Sequence, residues 1–389
     1  MLDLHRVRAD TPGCLGQAFL DSAGSSLPPR VVTETVITHL RREAEVGGYR
    51  AAAERADDLA DVKTALAALL GAQPGDLALT ESATRGWADF FYSVPLAAGE
   101  KILVSEVEYA SNAIAALQRA RSTGAVVEVV PSTPTGEVDL DALARMLDER
   151  VRLVSLVHAP TNGGLLNPVR EVVDLAHAVG ALVLLDACQS VGQVPVDVVA
   201  LGVDALSGTG RKWLRGPRGT GFLYVRPELA ATMEPAALDL HGAQWTEESG
   251  YRLAPDASRF EFWECSVAGR LGLGAAVRYL LDLGIDEIEQ SVSALAEYTR
   301  TELAAVPGVT VRDLGVDRTG IVSFTVAGVD PTRVRESLAA KDITVTVSGR
   351  GSTYLDMSRR GLDAVVRASP HYFNSFDDVD RLVEAVDGR

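Results

Sequence analysis

The chain has 389 residues with 47% hydrophobic and 23% charged side chains, a balance that excludes a disordered protein and allows a sizeable core. Its 37 Lys and Arg against 53 Asp and Glu give a formal charge of −16, a surface that repels phosphate backbones and anionic lipid, so neither nucleic acid nor a membrane is expected as a partner. Three scattered cysteines, Cys14, Cys188 and Cys265, form neither a disulfide framework nor a CxxC metal or redox pair, and no apolar run resembles a signal peptide or a membrane span, so a cytoplasmic protein without a metal site is expected.

Single cores stop growing at roughly 250–300 residues, so two lobes are expected. From Pro28 to Val225 helical patterns alternate with short apolar runs: L-A-L-T ending at Thr80, K-I-L-V-S from Lys101, A-V-V-E-V-V ending at Val130, R-L-V-S-L-V before His158, A-L-V-L-L-D ending at Asp186 and V-D-A-L-S ending at Ser207. Runs apolar on both faces and separated by amphipathic stretches read as parallel strands covered by helices, an α/β class. The covering helices include 56–70, 110–121, 139–147 and 169–179, and Gly219–Val225 is a further strand. Beyond Ala254 the order changes to helices over 268–283 and 285–305, the run I-V-S-F-T-V, a helix over 331–340, the run I-T-V-T-V and a last helix over 377–386. That α+β pattern predicts a smaller second domain. The expected division is an arm over 1–18 packing with the small domain, a large domain over 19–255 and a small domain over 256–389.

Ligands of a parallel α/β sheet sit beyond the C-terminal strand ends, and the chemically informative residues fall there. Asp186 directly follows an apolar strand, where a desolvated carboxylate needs a cationic partner; a helix cap or loop carboxylate is the plainer alternative. Lys212, one of only four lysines, lies in G-T-G-R-K-W-L-R-G-P-R-G-T-G. Burial beside Trp213 and the neighbouring Arg211 would lower its pKa, as a Schiff-base amine requires, whereas a lone loop lysine is otherwise a surface residue. Lys63, Lys101 and Lys341 read as solvated positions. Ser82–Trp87 follows a strand and opens a helix, so it can offer backbone N–H groups and the Thr84 hydroxyl to an anion, or serve as an ordinary cap.

A-L-V-L-L-D-A-C-Q, G-T-G-R-K-W-L-R-G-P-R-G-T-G and V-V-R-A-S-P-H-Y-F-N-S together resemble the fold-type-I, class V pyridoxal-phosphate enzymes, which include aminotransferases, cysteine desulfurases, kynureninases and C–S lyases. The likeness runs from F-L-D-S-A-G at Phe19 to the last helix. It implies a large, mostly parallel α/β/α domain with a smaller α+β domain, pyridoxal 5′-phosphate as cofactor, a small amino-acid substrate and a homodimer with its active site at the interface.

Carried over residue by residue, the resemblance makes Lys212 the catalytic lysine that carries the cofactor and Asp186 the partner of the pyridine nitrogen. Gln189 would face the ring 3-oxygen, with Thr161 or Asn162 near it. Ala83, Thr84 and Thr209 would hold the phosphate with Arg211, where relatives often have His. Tyr109 falls where relatives stack a His on the ring, or is a core aromatic; His158 reads as a packing residue. Arg367 would grip the substrate carboxylate through a planar fork.

Cysteine desulfurases of the group need a nucleophilic Cys shortly before that Arg, and Ser348–Leu362 contains none, so persulfide chemistry is not expected. Glu264 replaces a phosphate-binding Thr and would face substrate or an Arg, or form an unrelated ion pair. R-R-E-A-E-V-G-G-Y, ending at Tyr49, is similar to the corresponding stretch of hercynylcysteine sulfoxide lyase-type C–S lyases; Tyr49 would reach the cleft, or simply end a helix. The implied reaction is β-elimination from an S-substituted cysteine or its sulfoxide to thiol or sulfenate, pyruvate and ammonia. Transamination and decarboxylative deamination are the alternatives.

Overall fold

The computed structural model describes residues 2–388. Continuous apolar runs need cover on both faces, and the large domain supplies it around a seven-stranded sheet. In chain order the strands are β1 (Leu77–Thr80), β2 (Lys101–Ser105), β3 (Val126–Val130), β4 (Val151–Val157), β5 (Leu182–Asp186), β6 (Ala205–Thr209) and β7 (Gly221–Val225). They lie in the order β1-β7-β6-β5-β4-β2-β3, parallel from β6 to β3, with β7 antiparallel to both of its neighbours.

Alternation along each strand divides the apolar side chains between two cores. Leu103, Val154, Leu156, Val183, Leu185 and Leu206 face one way, and Ile102, Val104, Leu153, Leu184 and Ala205 face the other, toward Trp87, Phe90 and Phe91. The strand expectations hold closely, with physical reasons for the differences. β6 continues past Ser207 to Thr209, and β7 starts at Gly221 because Gly219 is still turning with φ +77°. β3 is a sheet edge, so Val126 and Val129 are exposed rather than covered on both faces.

In the small domain, β8 (Val309–Val311), β9 (Val322–Val326), β10 (Thr346–Gly349) and β11 (Ala364–Ala368) form an antiparallel sheet in the order β8-β9-β11-β10. The expected run I-T-V-T-V divides at Val345. Ile343–Thr344 pairs in parallel with Ala18–Phe19, while β10 joins β11.

The cores do not separate at residue 255. The Val267–Leu283 helix packs on the helices Arg30–Val46 and Ala56–Leu70, and its Leu273, Val277 and Leu280 belong to the large-domain core. Its periodicity is the same whichever domain it covers. The small-domain core begins at Ala296 and also takes in Ala18 and Leu20. The N-terminal arm contacts both lobes: Val7 and Cys14 enter the large core, and Arg8 donates to Phe373 O and Asp378.

Two lysines depart from the expected solvation. Lys101 is buried between Glu128 and Asp148, at 3.2 Å from each, and Lys63 pairs with buried Glu261. Among the described residues no helix is long and apolar enough to cross a membrane.

A buried ion pair within the small domain backs the loop that meets the large domain. Arg300 donates from Nε to Asp313 at 2.7 Å, and from Nη2 to Thr319 O and Ile321 O. The same loop reaches the large domain through Thr319 N to Gly164 O and Gly320 N to Gln193 Oε1. Removing one partner of a buried pair leaves an uncompensated charge, so Asp313→Ala is expected to lower stability by about 3–5 kcal/mol, read as the shift of the urea unfolding midpoint.

Candidate active site

The C-terminal ends of β4, β5 and β6 open into a cavity whose far wall is the start of the Ala83–Ser93 helix. Asp186 ends β5 and is buried there. Its Oδ1 accepts from Cys188 N and its Oδ2 from Asn112 Nδ2, both at 3.0 Å. The same amide nitrogen of Asn112 donates to Glu108 Oε1 at 2.9 Å, and Ser155 Oγ lies 2.8 Å from Glu108 Oε2. Burial, with Asp186 close by, pushes the Glu108 carboxyl up to about 8, so at neutral pH it is protonated and adds no second negative charge to this wall.

Lys212 lines the same cavity, in the loop after β6. Burial lowers its pKa, helped by the charges of Arg211 and Arg367 and opposed by Asp186 and Cys188. Among the described residues its Nζ makes no hydrogen bond or ion pair. The loop is held firmly on either side of it. Trp213 is fully buried and donates to Gln189 Oε1 at 2.9 Å. Arg215, also fully buried and left-handed at φ +59°, donates to Leu27 O and Thr11 Oγ1 and lies over the rings of Tyr372 and Phe373 at 4.9 and 4.7 Å.

Opposite, Ser82 caps the Ala83–Ser93 helix by accepting from Arg85 N at 3.1 Å, while Ala83 and Thr84 turn to the cavity with Thr209 and Arg211. The capping and anion-site readings of Ser82–Trp87 are compatible: the cap takes Arg85 N, and Ala83 and Thr84 of the same first turn line the cavity. Gly221 permits the close approach of β7, since a Cβ there would stand 2.6 Å from Ala83 N. Arg211 also donates to Gly24 O.

Tyr109 and Thr161 are cavity walls, as is Gln189, whose Nε2 donates to Ala23 O and Thr161 Oγ1. Asn162 turns away and donates to Asp356 at 2.8 Å. His158 is buried at a strand end, and burial lowers its pKa to about 4, in keeping with a packing role. Arg367, on β11, does not itself line the cavity but bonds to Thr161, which does. Its Nη1 donates to Thr161 O and Oγ1 and its Nη2 to Asp21 Oδ1 at 2.9 Å.

Tyr49 and Glu264 do not line this cleft. They line a separate open cavity with Leu40, His241, Trp263 and Cys265, and Tyr49 is 81% exposed beyond the chain reversal at Gly47. Sequence reasoning missed Asn112, Cys188 and Asp21. Asn112 stands four residues after Glu108, within reach of it across one helical turn, and Cys188 lies between Asp186 and Gln189 in a motif already singled out.

An amine of lowered basicity, a carboxylate held by two N–H donors and a helix N-terminus in one cavity are groups that fit a phosphorylated pyridine aldehyde. Among the described residues there is no cluster of three or more His, Cys, Asp or Glu able to hold a metal ion.

Comparison with known proteins agrees. The family described as aminotransferase class-V matches residues 18–382. The chain is 33% identical to a cysteine desulfurase of Dickeya dadantii over 98% of this chain and 95% of the relative, and 33% identical to probable cysteine desulfurase 2 of Mycobacterium leprae over 99% and 96%. Among solved structures, a cysteine desulfurase of Escherichia coli superposes with a TM-score of 0.91 at 26% identity, covering 100% of this chain and 98% of that one. A cystine C–S lyase with its product cysteine persulfide shares the fold, with a TM-score of 0.88 at 22% identity, over 97% and 99% of the two chains. The chain belongs to the class-V aminotransferase family of pyridoxal-phosphate enzymes.

Proposed function

We propose that the protein is a pyridoxal-phosphate-dependent C–S lyase that cleaves an S-substituted cysteine, or its sulfoxide, by β-elimination to thiol or sulfenate, pyruvate and ammonia. The observation that carries this reading is a complete lysine–aspartate cavity without a thiol equipped to accept sulfur. The stretch before Arg367, where a desulfurase needs its nucleophile, is occupied by the short helix Tyr354–Arg359, tied down by Asp356 to Asn162 and Arg360, and contains no Cys. Cys188 lies in the cavity, but burial and Asp186 push its pKa well up, so it stays a thiol rather than a nucleophilic thiolate. Cys14 is buried in the core, and Cys265 belongs to the other cavity.

Bound pyridoxal phosphate supplies an electron-accepting ring that acidifies the substrate Cα–H. Lys212 would hold the cofactor at rest and, freed when substrate takes its place, remove the Cα proton, a role suited to its lowered pKa. Asp186 would accept the ring N–H, oriented by Asn112 and Cys188 N. Ala83, Thr84, Thr209 and Arg211 would hold the phosphate, with Tyr109 against the ring and Gln189 and Thr161 beside its hydroxyl. Arg367 would bind the substrate carboxylate. The reading includes a homodimer, in which Tyr49 and Glu264 serve the cleft of a second copy. It draws support from large apolar side chains left in solvent, among them Tyr49, Trp263 at 53% and Trp245 at 79% exposure.

Incubation with S-alkylcysteines or their sulfoxides and no 2-oxo acid is expected to release pyruvate and ammonia in equal amounts, measured by coupled dehydrogenase assay. A strict requirement for a 2-oxo acid would assign transamination instead, and an aldehyde product with loss of CO₂ would assign decarboxylative deamination. Lys212→Ala is expected to lower kcat at least about 10²-fold, measured as single-turnover pyruvate release.

Glu108 makes stability depend on pH. Its folded pKa of about 8 lies above the reference 4.5, so through that window the folded protein keeps a proton the unfolded chain has lost, and stability falls as pH rises. Glu108→Gln is expected to remove this slope, measured by urea unfolding at several values across the window.

A further inference from the structure

Arg367 presents a fork that is only half used. Its guanidinium is buried, with the side chain 6% exposed, and burial lowers its pKa while Asp21 opposes the shift. Nη1 is spent on Thr161 O and Oγ1, each at 3.0 Å. The other edge, Nε with Nη2, is the one on which a carboxylate binds through two parallel N–H···O bonds. On that edge Asp21 Oδ1 takes Nη2 alone, and Nε is buried with no hydrogen-bond partner among the described residues. A buried donor without an acceptor costs stability, so the arrangement is suited to a ligand that spans both positions.

Asp21 sits there by local geometry. Its backbone is bridged to Ser369, and Ser22 N donates to Ser369 O. Its carboxylate folds over Gly24, where a Cβ would come within 2.5 Å of it. The Asp21 side chain is 21% exposed and accepts a hydrogen bond from Arg367 Nη2. A carboxylate that binds across Nε and Nη2 competes with Asp21 for Nη2.

We infer that Asp21 is a displaceable stand-in for the substrate carboxylate: it neutralises and orients buried Arg367 until substrate arrives, and thereby sets both the affinity and the selectivity for carboxylate-bearing ligands. This rests on Arg367 being the carboxylate site proposed above. A ligand with a full carboxylate recovers both the displaced bond and the unused Nε–H, whereas a neutral isostere recovers neither fully. Asp21 is a positioning and specificity residue, outside the bond-breaking chemistry.

The probe is 3-(methylthio)propionate, which has the carboxylate and sulfur of an S-methylcysteine but no amine to react with the cofactor. Binding is measured by calorimetry on the protein before and after cofactor loading, with 3-(methylthio)propionamide as the neutral control. Asp21→Asn keeps an acceptor and removes the competing charge; Gly24→Ala pushes the carboxylate aside and leaves Asp21 in place. Both are expected to tighten the carboxylate probe by about three- to tenfold and leave the amide unchanged. Unchanged or weaker carboxylate binding in both variants, with Arg367→Gln losing the probe, would overturn the stand-in role and leave the carboxylate site intact. Wild-type affinity in Arg367→Gln would overturn both.

Discussion

The structure depends on setting a half-buried amine and a buried carboxylate at one end of a parallel sheet. Neither Lys212 nor Asp186 is kept there by packing alone, since each would be better solvated outside. The sheet makes the site possible because β4, β5 and β6 end together, and a polar shell carries the electrostatic cost. Asn112 and a backbone N–H satisfy the acid, a neutral Glu108 avoids crowding it, and burial weakens the base. An amine of reduced basicity is a usable nucleophile near neutral pH, so the constraint that strains the fold also equips it for chemistry.

The shell is continuous. From Trp213 the hydrogen bonds run to Gln189, then to Thr161, Arg367 and Asp21, linking the lysine loop to the small domain and to the N-terminal segment. Side chains that look unrelated in sequence therefore share one network. The division between lobes passes through this network.

Much of this was legible in the chain itself. Uninterrupted apolar runs marked the strands of the large sheet, and the scarcity of lysine drew attention to Lys212. What escaped was non-local. The Asp21–Arg367 pair joins positions 346 residues apart, and no periodicity signals it. Helix Val267–Leu283 was assigned to the wrong lobe because an amphipathic stripe records that a face is buried, not against which domain. Tyr49 and Glu264 were expected at the cleft and occupy another surface of the same chain, a distinction that residue type alone does not carry. Lys101 was expected in solvent because its two carboxylate partners come from separate segments.

Arg215 joins three stretches of polypeptide that are made at very different times. Its guanidinium binds Thr11 and Leu27 near the start and rests on Tyr372 and Phe373 near the finish. As the ribosome extends the chain, the first two anchors are waiting long before the last two emerge. The turn that aims Lys212 thus acquires its aromatic backing only once translation is nearly complete, and a nascent chain stopped short of residue 371 would carry the reactive amine without the support that holds its loop in place.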